Sequence, residues 1–269
     1  MSSLEKLRNK NQEGKFICVG LDTDVDKIPL HLHSLANPIL EFNSEIIRAT
    51  SDFAAAYKLN FAFYEKDGYE GFKTLEKTIS IIPDDLLIIG DAKRGDIGNT
   101  SKKYAESLYN YFKFDAATIN PYMGEDSVQP FLENPDKLNF ILVLTSNPGS
   151  KDFEKLKLDD GSFLFQEVIR KVNQWNSRRN CGIVFGATNI NELKENLNLI
   201  GDLPVLLPGV GAQGGSLEDV IKTFEESQRS DFLINISRGI IYKDNGKTFA
   251  ETAKEEIEKL NLTIKSLLS

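Results

Sequence analysis

Short runs of apolar and β-branched residues recur along the chain at 16–22, 54–60, 86–93, 116–122, 140–146, 181–188, 204–210 and 232–238, eight in all. Most are almost continuously apolar, the pattern of parallel strands buried on both faces. The second run, Ala-Ala-Ala-Tyr-Lys-Leu-Asn, has the weakest strand propensity. Between the runs the apolar period changes to that of helices. The segment 38–50 has Asn37 as N-cap and Pro38 at its first helical position, and its Ile39, Phe42, Ile46 and Ala49 share one face. Phe72, Leu75, Ile79 and Ile82 repeat that spacing before Pro83 stops the element. Further helices are predicted around 104–108, 127–132, 165–175, 190–200 and 217–224. A last one carries Ala253, Ile257, Leu260, Ile264 and Leu267 on one stripe.

Eight alternations of strand and helix predict a closed (β/α)₈ barrel rather than an open doubly wound sheet. The length of 269 residues suits one such domain, typically ~250 residues, and no composition break divides 1–269. Residues 1–15 read as a polar N-terminal segment or helix. Two connections, 23–37 and 147–161, are long and follow strand C-termini, where barrel sites are built. They read either as binding loops or as surface decoration.

Composition narrows the function classes. The net charge of −8 and the lack of a basic stripe give nucleic-acid binding no electrostatic support. An anionic substrate must instead be met by a few placed cations. Cys18 and Cys181, the two cysteines, sit within apolar runs and read as buried small hydrophobes, which suits a reducing, cytoplasmic setting. No secretory signal or membrane-length apolar stretch is visible. His31 and His33, the only histidines, follow no evident strand, which argues against histidine catalysis and a His-rich metal site.

The barrel rule places chemistry at the C-terminal ends of strands. Asp22, Lys58, Asn60, Asp91, Lys93, Asn120, Thr145, Ser146, Asn147 and Arg238 stand there, with Asp96 and Gln213 just beyond. The sharpest signal is Asp-Ala-Lys-Arg-Gly-Asp-Ile at 91–97. Asp91 and Lys93 are two apart on a strand, so their side chains point the same way. A lysine beside carboxylates stays protonated, which suits proton delivery more than Schiff-base chemistry. A salt-bridge cluster capping the barrel is the alternative reading. The second signal is Pro-Gly-Val-Gly-Ala-Gln-Gly-Gly at 208–215 after the seventh run, with Ser-Arg-Gly at 237–239 after the eighth. Barrels often bind phosphate there, with glycines admitting backbone N–H groups and Arg238 able to fork onto phosphate.

DAKRGDI, with GLD at 20–22, YKLN at 57–60, NPYMG at 120–124, TSNPGS at 145–150, LLPGVGAQGG at 206–215 and SRGI at 237–240, resembles the orotidine 5′-monophosphate decarboxylases. The form DAKRGDIGNT is similar to their longer bacterial and apicomplexan branch. The resemblance implies a cofactor-free, metal-free carboxy-lyase that turns orotidine monophosphate into uridine monophosphate and CO₂ in de novo pyrimidine synthesis. It implies that Lys58, Asp91, Lys93 and Asp96 form a catalytic array, with Lys93 as proton donor to C6 and Asp91 near the departing carboxylate. Asp22 and Lys58 would hold ribose hydroxyls, Asn60 would support the array, and Ser146 would meet the pyrimidine edge. Gln213, Arg238 and Gly239 would bind the 5′-phosphate. In a homodimer, Asp96 and Thr100 would reach the partner's site. A metal-dependent sugar-phosphate decarboxylase or hexulose-phosphate synthase of the same superfamily is the nearest rival, since it shares DxKxxD. A Schiff-base aldolase and a catalytically silent nucleotide-binding barrel are the others.

Overall fold

The eight apolar runs form strands β1 (Ile17–Gly20), β2 (Ala56–Asn60), β3 (Leu87–Arg94), β4 (Ala116–Ile119), β5 (Leu138–Leu144), β6 (Cys181–Phe185), β7 (Val205–Pro208) and β8 (Phe232–Ile236). In the computed structural model, which describes residues 1–211 and 213–268, each strand pairs in parallel with its sequence neighbours, and β8 closes onto β1. The predicted (β/α)₈ barrel is the observed fold. Ala212, within the glycine-rich run, lies outside the described residues. Most ladders stop short of the predicted strand ends. The fourth run was expected to reach Tyr122, but β4 stops at Ile119, and Asn120 turns back to accept the Tyr122 N–H.

Strand residues separate by twos into an inner and an outer set. Cys18, Ala56, Leu87, Ile89, Phe140 and Leu233 belong to a cluster inside the barrel. Ile17, Val19, Tyr57 and Leu59 pack outward with the helices. Along the inner stripe the chemistry changes from one end to the other. Ala56 is followed two residues on by Lys58, Ile89 by Asp91, Ala116 by Thr118 and Leu233 by Asn235. The apolar members fill the lower barrel, and the polar ones line a cavity at the C-terminal rim.

The polar N-terminal segment is a helix, α1 (Ser3–Gln12), opened by a reciprocal capping box between Ser2 and Glu5. Its Leu7 is fully buried within the inner cluster and closes the barrel floor. Lys6, Arg8 and Lys10 pair with Asp115, Asp231 and Asp85 at 2.9, 2.7 and 2.6 Å. The outer helices are α2 (Pro38–Thr50), α3 (Ala62–Glu65), α4 (Gly68–Ile79), α5 (Gly98–Glu106), α6 (Glu125–Leu132), α7 (Leu164–Trp175), α8 (Ile190–Ile200), α9 (Leu217–Glu226), α10 (Arg238–Ile241) and α11 (Phe249–Leu267). As expected, Asn37 caps α2 by accepting the Leu40 N–H. The helix expected around 104–108 is the end of α5, running into a π-turn at Ser107–Tyr111. The one-turn helices α3 and α10 were not predicted. A groove near the floor is lined by residues from the ends of α1 and α11, including Gln12, Gly14, Leu262 and Leu268.

Both long connections are tied down. The first holds two 3₁₀ turns, Val25–Lys27 and Leu30–Leu32. In the second, the Glu154 carboxylate accepts the Thr145 N–H at 2.7 Å and its hydroxyl at 2.9 Å. Cys18 and Cys181 are buried and unpaired as disulfides, and burial pushes both thiols up to about 12. Among the described residues no helix is long and apolar enough to cross a membrane.

Candidate active site

The cavity at the C-terminal rim has a volume of about 380 Å³. Asp22, Lys58, Asn60, Asp91, Lys93, Ser146, Gln213, Arg238 and Gly239 all line it. Of the strand-end residues expected to carry chemistry, all but Asn120 meet in this one space, and Lys93 and Arg238 share one rim. Asp96 and Thr100 do not line it. The Asp96 carboxylate accepts the N–H of Ile97, and Thr100 is exposed on the first turn of α5.

Asp91 is the hub. Lys58 donates to its Oδ2 at 2.8 Å and Lys93 to its Oδ1 at 2.7 Å. Lys58 also reaches Asp22 Oδ1 at 3.4 Å, and Ser237 Oγ donates to Asp22 Oδ2 at 2.8 Å. Burial opposes the charge of Asp91, but Lys58 and Lys93 more than offset it and hold the carboxyl well below its usual range. Burial likewise opposes the charge of Lys58, yet Asp91 and Asp22 prevail and keep the ammonium firmly protonated. The Lys58–Asp91 pair is the buried part of this set, so removing Lys58 would strand a buried carboxylate. The other carboxylate of the 91–97 motif, Asp96, forms no ion pair with Lys93 within the chain. Among the described residues the partner of Lys93 is Asp91.

Lys93 reaches this position through an irregular backbone. The β3–β4 register shifts between Gly90 and Arg94, and Lys93 has φ +46, in the left-handed region. Arg94 leaves on the other side, paired with Glu65, its guanidinium 5.4 Å from the Phe61 ring centre and 5.2 Å from that of Tyr104. The strand alternation thus placed Lys93 on the same side as Asp91, as expected, but gave no sign of the bulge that aims it.

The opposite wall comes from the loops after β7 and β8. Gly209 has φ +102, and a side chain there would begin 2.9 Å from Gln213 Oε1. The loop turns back on itself, with the Gly215 N–H bonded to the Gly209 carbonyl at 3.0 Å. Gln213 accepts from the Ser146 hydroxyl, linking this loop to the end of β5. Arg238 opens α10, is exposed, and has no ion pair among the described residues.

Among the lining residues, Thr118, Tyr242 and Lys27 were not singled out in the sequence, and Ser237 appeared there only within its motif. Thr118 lies within an apolar run, and its hydroxyl donates to Asp91 Oδ1 at 2.8 Å. Ser237 holds Asp22. Tyr242 donates to the Asp22 carbonyl at 3.1 Å and accepts the Asp24 N–H at 2.6 Å, fixing the start of the first long connection. That connection delivers Lys27 to the cavity, 5.8 Å from the Tyr242 ring centre. Only the strand-end position of Ser237 gave any hint, since the other contacts join distant parts of the chain.

Known proteins resemble this chain in sequence and in fold. The family model described as "Orotidine 5'-phosphate decarboxylase / HUMPS family" matches residues 15–253. Orotidine 5′-phosphate decarboxylase of Porphyromonas gingivalis is 49% identical over 244 residues, which cover 90% of this chain and 88% of that protein. The Phocaeicola vulgatus protein of the same name is 42% identical over 271 residues, covering 100% of this chain and 99% of its own. Leishmania donovani OMP decarboxylase superposes with a TM-score of 0.83 at 34% identity, covering 97% of this chain and 100% of that one. Leishmania donovani UMP synthase gives 0.84 at 36% identity over 97% of this chain, which spans only 57% of that longer protein. Matches of this extent, on a closed barrel with the motifs at its mouth, show that the chain belongs to the orotidine 5′-phosphate decarboxylase / HUMPS family.

Proposed function

We infer that the chain decarboxylates orotidine 5′-monophosphate to uridine 5′-monophosphate and CO₂, a step of de novo pyrimidine synthesis, from one barrel domain and without a cofactor. The observation that carries this reading is the Lys58–Asp91–Lys93 array sharing one cavity with a glycine-rich loop and with Arg238, which has no ion pair among the described residues. An array of fixed charges suits a reaction whose difficulty is a carbanion.

The C6–carboxylate bond breaks heterolytically, and its electron pair stays on C6. The Lys93 ammonium stabilises that charge as it develops and then transfers a proton to C6, becoming a neutral amine that solvent reprotonates. Asp91 stands beside the departing carboxylate and fixes the ammonium. Asp22 and Lys58 hold ribose hydroxyls, Asn60 supports the array, and Ser146 meets the pyrimidine edge. Gln213, Arg238 and Gly239 hold the 5′-phosphate, whose binding energy, spent far from C6, lowers the chemical barrier. Asp96 and Thr100, outside this chain's own cavity, complete the site of the partner in a homodimer. The enzyme acts in the cytoplasm.

The metal-dependent rival needs a further acidic ligand beside Asp91. Among the described residues no group of three or more His, Cys, Asp or Glu side chains is gathered to hold a metal ion. The test is the fall in orotidine monophosphate absorbance on adding the protein, with and without EDTA. Turnover that survives chelation is expected. No turnover, or turnover abolished by EDTA, overturns the reading.

A further inference from the structure

The left-handed backbone of Lys93 has an identifiable support. Strand β3 pairs with β4 at Gly90–Ala117 and resumes at Arg94–Ile119. Residues 91–93 are therefore opposed by a single residue, Thr118. A bulge of this kind leaves backbone N–H groups without ladder carbonyls, and a buried N–H needs an acceptor. Thr118 Oγ1 supplies it, accepting the Lys93 N–H at 3.0 Å. The same hydroxyl donates to Asp91 Oδ1 at 2.8 Å, the oxygen that also receives Lys93 Nζ at 2.7 Å. A closed ring results, running from the Lys93 backbone through Thr118 to Asp91 and back along the Lys93 side chain. Thr118 is only 2% exposed, lines the cavity, and is stiff at χ1 because it is β-branched.

We propose that Thr118 is a positioning residue of the decarboxylation, its hydroxyl holding the β3 bulge so that the Lys93 ammonium is aimed at the reacting carbon. The inference rests on the decarboxylase reading above. Valine matches threonine in shape but offers neither donor nor acceptor. In Thr118→Val the Lys93 N–H loses its acceptor and Asp91 loses one donor, while the cavity walls stay in place.

Steady-state kinetics on orotidine monophosphate test this, with wild type, Thr118→Val and Thr118→Ser measured together and thermal midpoints recorded. A displacement of the ammonium by about 1 Å should lower kcat on the order of 10²-fold, with KM little changed. Thr118→Ser keeps the hydroxyl and should retain most of the wild-type kcat. Full kcat in Thr118→Val, equal impairment of the serine and valine variants, or a rise in KM parallel to the loss of kcat each overturns the proposal. Should the valine variant not fold, Thr118→Ala against Thr118→Ser makes the same comparison. An inactive wild type would instead overturn the decarboxylase reading itself.

Discussion

Lys58 and Lys93 grip opposite oxygens of the Asp91 carboxylate, at 2.8 Å and 2.7 Å. The two lysines are not equivalent. The Lys58 side chain is 5% exposed, whereas that of Lys93 is 49% exposed and faces the cavity. Lys58 is walled in by Asp91 and Asp22, so it can anchor the carboxylate but has little room to move. Lys93 keeps one side on the carboxylate and one toward the space a substrate would occupy. The asymmetry fits the proposed division between an anchoring lysine and a proton donor.

Lys93→Ala should therefore lose at least about 10³-fold in kcat, the scale of a missing general acid. The fold should survive, because a half-exposed ion pair contributes no more than about 1 kcal/mol. Circular dichroism, a thermal midpoint and the absorbance assay together check this. Substantial residual kcat would contradict the assignment of proton donor.

Lys58→Met should instead destabilise, by about 3 kcal/mol at neutral pH, because a buried carboxylate loses its buried partner. The sign of the pH dependence follows from the lowered Asp91 carboxyl. In the wild type, its contribution to stability is complete above the ordinary carboxylate range and is lost only as pH falls toward its depressed folded value. In the variant, burial is less well offset, so the carboxyl takes up its proton at higher pH. The stability gap between the two proteins should narrow from about pH 7 to about pH 4, as read by urea midpoints. A gap independent of pH would show that Lys58 does not hold Asp91 ionised.

Arg238→Ala should leave stability unchanged, since the side chain is exposed and unpaired among the described residues. It should lower kcat/KM on the order of 10²-fold, as expected for a lost charge-assisted fork on phosphate. An unchanged kcat/KM would remove Arg238 from the phosphate site.

Asp96 and Thr100 make no contribution to the cavity of their own chain. If they complete the partner's site, mixing Lys93→Ala and Asp96→Ala chains should restore activity that neither has alone. Random pairing of a two-fold dimer gives about a quarter of wild-type activity, because half the dimers then carry one intact site. No recovery after verified subunit exchange would exclude sharing.

What the sequence disclosed follows one periodicity. A strand seen from inside the barrel exposes every second residue, so Ala56-Tyr57-Lys58 and Ile89-Gly90-Asp91 already carry the change from packing to chemistry. The glycine-rich run announced the far wall through its composition. Thr118 was hidden because threonine in Ala-Ala-Thr-Ile reads as ordinary strand propensity. The bulge at Lys93 was hidden because a two-residue spacing is the same with or without it. Lys27, Tyr242 and Ser237 depend on contacts across the β8–β1 closure, which no local pattern encodes. The helices α3 and α10 are too short to show a helical period.

The C-terminal ends of α1 and α11 line one groove near the floor that Leu7 seals, and Ser3, at the start of α1, bonds to the Asp115 and Asp136 carbonyls just ahead of β4 and β5. Anything joined ahead of Ser3 or carried beyond α11, whether an affinity handle, a fluorophore or a second folded module, would start from beneath the barrel. Substrate would still enter from above unimpeded, so tethering the chain by its extremities is compatible with catalysis at the opposite mouth.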